Sequence, residues 1–145
     1  MLDWIIKPFD KDISYKKLTG LWLFFFIIGV ILMQSLTPLS PSFMTIEEEI
    51  VSTFCTPINM LEVAVAFFTE TIIFFLLPYK LKGKKGAMVG IIVWIGLHLL
   101  SKNIPIAIYI SLMGYFYYRC LEIGRWKAIM VFHFIPNILG ILSCF

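Results

Sequence analysis

Glu62, Glu70, His98, His133 and Asn137 stand inside long apolar stretches of this chain, where an ionisable or amide side chain costs on the order of a few kcal/mol. Asn137 follows His133 by four residues and therefore shares its helix face. Taken singly, such groups serve as hydrogen-bond glue between helices, worth about 0.6 kcal/mol each. Taken together, a carboxylate, two imidazoles and an amide are the set that amide hydrolysis needs: a base to activate water, and donors for the oxyanion. With a helical rise of about 1.5 Å per residue, Glu70 lies about 12 Å from the inner end of its stretch and His98 about 18 Å from the inner end of the next. The same arithmetic puts His133 and Asn137 about 10 and 16 Å inside the last stretch, so the four reach one depth. Glu62 falls about 12 Å further out than Glu70 and reads as locally paired or close to the outer interface.

The elements that must position these groups follow from composition. Of 145 residues, 60% are hydrophobic and 14% charged, against about 45–50% and about 25% in soluble domains. This excludes a water-soluble domain. Five apolar stretches, Leu18 to Leu36, Pro57 to Pro78, Gly86 to Leu100, Ile104 to Cys120 and Trp126 to Phe145, predict an all-α polytopic membrane bundle of about five transmembrane helices. Residues 1–56 read as an N-terminal segment with the first span and an acidic outer loop, and 57–145 as a four-helix core. The first stretch is too long for a signal-peptide h-region and lacks a cleavage site, and no lipidation motif stands at either terminus. The third is short for a bilayer, which suggests shielding by other helices or a thinned membrane.

Lys16 and Lys17, then Lys80, Lys82, Lys84 and Lys85, then Arg119, Arg125 and Lys127 mark alternate loops; Glu47, Glu48 and Glu49 and the single Lys102 mark the others. By the positive-inside rule the N-terminus is cytoplasmic and the C-terminus outside, in an integral, multi-pass protein of the cell membrane. The net charge of +3 is too weak and scattered for a nucleic-acid surface. Cys55, Cys120 and Cys144 lie far apart and read as packing residues, with no metal spacing and no even disulfide framework. Trp4, Trp22, Trp94, Trp126, Tyr79 and the run Tyr115 to Tyr118 read as interface belts or lipid and helix contacts. Gly90 and Gly96 are not at the four-residue spacing of a close-packing motif, and mark only a helix that a neighbour can approach. Pro136 has no N–H for the carbonyl of Phe132, which predicts a local kink between His133 and Asn137.

The stretch Ile92-Val-Trp-Ile-Gly-Leu-His98-Leu-Leu, then Ile110-Ser-Leu-Met-Gly-Tyr-Phe-Tyr-Tyr-Arg119, then Gly124 through His133-Phe-Ile-Pro-Asn137 resembles the CPBP family of glutamate-type intramembrane proteases. That family includes the type II CAAX prenyl endopeptidases and the Abi proteins linked to bacteriocin self-immunity. Its motifs are EExxxR, FxxxH and HxxxN. Trp94 to His98 is similar to the second with Trp for Phe, His133 to Asn137 matches the third, and Glu70-Thr-Ile-Ile-Phe-Phe75 resembles the first, with Thr71 and Phe75 in place of the second glutamate and the arginine. The resemblance covers Leu61 to the C-terminus. It implies that Glu70 and His98 activate a water while His133 and Asn137 form the oxyanion hole, with no cofactor and no metal.

The expected function is thus an intramembrane endopeptidase that cuts a peptide or protein substrate, lipid-modified ones included, near the cytoplasmic side. Two alternatives remain open: a zinc-dependent membrane hydrolase built on the same Glu and His residues, and a noncatalytic immunity or binding factor that keeps the fold. Ion transport along the same groups is disfavoured by the lack of an internal repeat.

Overall fold

The computed structural model describes residues 9, 11–36, 55–101 and 104–145, and among these the fold is all-α. Trp4, Glu47 to Glu49 and Lys102 lie outside the described residues. The order is α1 (Tyr15–Leu36), α2 (Pro57–Glu70), a six-residue π-helical stretch (Thr71–Leu76), α3 (Leu77–Ser101), α4 (Ile104–Glu122) and α5 (Trp126–Leu142). The start of α2 is written locally: Thr56 accepts the N–H of Asn59 at 3.2 Å, and Pro57 fills the first turn where its missing N–H costs nothing.

Within α3 the chain leaves helical geometry at Lys82 (φ −133°, ψ 18°) and Gly83 (φ 57°, ψ −141°), the latter a conformation that glycine adopts at little cost. The chain folds back there, and the expected second and third stretches become the arms of an antiparallel hairpin. Gly86 lies against the carbonyl of Pro78 and Gly90 against that of Phe74, so closely that a Cβ at either position would overlap them. Pro78 has no N–H to offer the Phe74 carbonyl, which leaves that oxygen open to the approach of Gly90. The close-packing spacing is therefore present, between Gly86 and Gly90; Gly96 has nothing within 4 Å.

Helix α1 also pairs antiparallel with α4, and α2 with α5, while α1 and α5 run the same way. Phe26 of α1 meets Tyr109 of α4 edge to face at 6.0 Å, and Trp22 stacks on Phe132 of α5 at 5.3 Å. Phe67 of α2 meets Phe134 of α5 at 5.2 Å. Helix α1 thus shares one hydrophobic core with the later helices. Of the aromatic residues, Trp22, Trp94, Phe116 and Tyr117 are helix contacts buried in the core, whereas Trp126 is exposed as a belt residue would be.

These pairings gather the basic residues at one end. There Lys84 reaches Glu122 at 3.0 Å, Arg119 pairs with the same carboxylate, and Arg125 donates to the carbonyls of Lys11 and Ile13 at 3.0 and 3.2 Å. At the other end Cys55 and Cys144 form a disulfide with Cα atoms 5.3 Å apart, tying the start of α2 to the end of α5. The reading of all three cysteines as packing residues holds only for Cys120, which is fully buried. Distance along the chain, 89 residues, hid the bond.

Two helical stretches, Tyr15–Leu36 and Pro57–Leu100, are long and apolar enough to cross a membrane, and only 28% and 17% of their apolar windows are buried in the protein. Ile27, Ile31, Val65, Ile72, Ile92 and Val131 all face outward. Helix α5 continues through Pro136 without interruption; the Phe132 carbonyl that the proline orphans accepts the hydroxyl of Tyr117 at 3.3 Å instead.

Candidate functional site

A cavity of about 520 Å³ runs between all five helices, and Glu70, His98, His133 and Asn137 line it together. Glu70 enters from the last turn of α2, immediately before the π-helical stretch. A π-helical turn widens the helix and rotates the residues that follow, and such insertions recur at functional sites. The carboxylate Oε2 accepts the indole N–H of Trp94 at 2.8 Å. Its Oε1 lies 4.0 Å from His98 Nε2, and its Oε2 lies 3.6 Å from His133 Nε2.

Hydrogen bonds on the far side of each ring set the tautomers. His98 Nδ1 lies 2.9 Å from the carbonyl of Trp94, which can only accept, so Nδ1 carries the proton. His133 Nδ1 lies 3.0 Å from Thr71 Oγ1, and the Thr71 hydroxyl donates its one proton to the Phe67 carbonyl at 2.8 Å. Thr71 Oγ1 therefore accepts from His133 Nδ1–H. In the neutral rings both Nε2 atoms are lone-pair acceptors turned toward Glu70. A water about 2.8 Å from both Glu70 Oε1 and His98 Nε2 would see them at an angle of about 90°, and could donate one proton to each.

Asn137 spends one N–H of its side-chain amide on the His133 carbonyl at 2.7 Å, which leaves the second for a ligand. His133 itself is walled by rings: Phe67, Phe75, Trp94 and Tyr117 lie with centroids 5.4, 5.6, 5.7 and 5.4 Å away. Glu62 lies on the exposed face of α2 and takes no part in the cavity.

Thr71 and Phe75, on either side of the π-helical stretch's first turn, are both fully buried. Thr71 holds His133, and Phe75 packs between Trp94 at 5.1 Å and Tyr117 at 5.4 Å. The sequence reading missed Thr71, Trp94 and Tyr117 as parts of the site. Spacing alone offered a signal for one of them, since Trp94 and His98 stand one helical turn apart. Among the described residues, no group of three His, Cys, Asp or Glu side chains is arranged to hold a metal ion. The chain matches no known family, no characterised protein and no solved structure.

Proposed function

We propose that this chain is a multi-pass membrane protein of five spans with a cytoplasmic N-terminus, and that its cavity is the centre of a metal-independent intramembrane endopeptidase. The outward apolar faces support the membrane assignment. One observation carries the chemistry: a carboxylate held by an indole N–H faces the Nε2 atoms of two imidazoles whose opposite nitrogens are fixed.

In this reading Glu70, with His98 as second acceptor, takes a proton from water as the water oxygen bonds to the scissile carbonyl carbon. The second N–H of Asn137 supports the oxyanion. Neutral His133 has no Nε2 proton to give, so its expected part in the oxyanion hole begins only after Glu70 passes the proton across the 3.6 Å gap. The imidazolium then donates that proton to the leaving nitrogen as the C–N bond breaks. The products are a carboxylic acid and an amine, and Glu70 returns to its starting form. Trp94 keeps Glu70 aimed throughout.

Purified protein in detergent, offered a broad set of membrane-anchored peptides with and without chelator, tests the proposal. Chelator-insensitive cleavage by the wild type, lost in Glu70→Gln, is the expected result. Chelator-sensitive cleavage would favour the zinc hydrolase, and no cleavage across the set would favour the noncatalytic immunity or binding factor.

A further inference from the structure

We infer that the cavity is reached from the face of the membrane that bears the Cys55–Cys144 disulfide, the extracytoplasmic face, and that it takes an apolar substrate segment dipping in from there. The inference rests on the proposed membrane reading and concerns the same site. Three separate observations carry it. The first is the direction of the cavity. Its floor, at the level of Glu70, is closed by Trp94, Met113 and Tyr117, each no more than 4% exposed. From the floor it runs toward the ends of α1, α2 and α5 that hold Met33, Val63 and Ser143; Ser143 is exposed and Leu139 is 49% exposed.

The second observation is the disulfide, at that same end and next to Ser143 in sequence. Disulfides persist in oxidising compartments and are reduced in the cytosol. The third is charge. Lys84, Arg119 and Arg125, with Lys80, Lys82 and Lys85 beside them, occupy the opposite end, where the floor closes. Basic residues stay on the cytoplasmic side. All three place the mouth away from the cytoplasm, opposite to the leaflet at which the sequence reading expected cleavage. Between mouth and floor the walls are mostly apolar, with Val30, Val63, Ala66 and Ile110 among them, so an apolar segment can enter without losing hydrogen bonds.

Labelling tests this without any assay of catalysis, so a failure here is distinct from a failure of the peptidase reading. In a Cys120→Ala background with the disulfide intact, Val63→Cys and Ala66→Cys report on the cavity, and Lys82→Cys marks the basic end. A charged, membrane-impermeant thiosulfonate is applied to intact cells and to inverted vesicles, and only variants that elute like the wild type are scored. The expected result is labelling of Val63→Cys or Ala66→Cys from outside intact cells, and of Lys82→Cys only in inverted vesicles. Cavity positions labelled only in inverted vesicles, or labelled from neither side, would overturn the inference, as would Lys82→Cys labelled from outside.

Discussion

Replacing Thr71 by Val keeps the shape of a fully buried side chain and removes one hydroxyl. The Phe67 carbonyl loses little, because the backbone N–H of Thr71 still bonds to it. The perturbation falls on His133, whose Nδ1–H loses its acceptor at 3.0 Å in a site where the residue is only 7% exposed. A buried donor without a partner costs about 1–3 kcal/mol. At about 1.4 kcal/mol per factor of ten, that shifts the ratio of the two neutral tautomers about 5- to 150-fold toward Nε2–H, whose proton then points at Glu70. The chain contains two histidines, so ¹⁵N-histidine labelling gives two ring systems, separated by a His98→Gln variant. The wild type is expected to hold His133 as Nδ1–H, Thr71→Val as Nε2–H, and Thr71→Ser as the wild type. A His133 that stays Nδ1–H in Thr71→Val would refute the claim that Thr71 sets its tautomer.

Trp94→Phe keeps an aromatic ring but removes the indole N–H held 2.8 Å from Glu70. Hydrogen bonds to charged groups are worth about 1.5–3 kcal/mol, so peptide turnover should fall roughly 10- to 150-fold with helicity by circular dichroism unchanged. Gly90→Ala drives a Cβ into the Phe74 carbonyl and should cost about 1–3 kcal/mol in thermal unfolding in detergent, whereas Gly96→Ala should not destabilise. Cys55→Ser removes a cross-link that closes a loop of 89 residues, an effect of about 4.6 kcal/mol in the chain-entropy model; the reduced wild type should melt like the variant. Tyr117→Phe leaves the Phe132 carbonyl unpaired and should cost about 1–3 kcal/mol in the same assay.

The helices and the four cavity residues were legible because apolar runs and rise per residue are local quantities, and polar groups in such runs stand out. Glu70, His98, His133 and Asn137 lie on one cavity as the depth arithmetic required. The partners that tune them were not legible, for particular reasons. Thr71 and Trp94 look apolar or neutral in sequence, and their value lies in one hydroxyl and one N–H whose directions depend on the π-helical stretch and on the hairpin. The disulfide joins ends that only the pairing of α2 with α5 brings together. The partner of the Phe132 carbonyl that Pro136 leaves open is a hydroxyl from α4, a neighbour no local pattern announces.

Activation of water by Glu70 in this cavity is read out by single-turnover cleavage of a membrane-anchored peptide in H₂¹⁸O. The wild type should place one ¹⁸O atom in the new carboxylate, and Glu70→Gln should slow the step by about 10²- to 10⁴-fold, the usual contribution of a general base. Cleavage by Glu70→Gln at the wild-type rate would contradict the account.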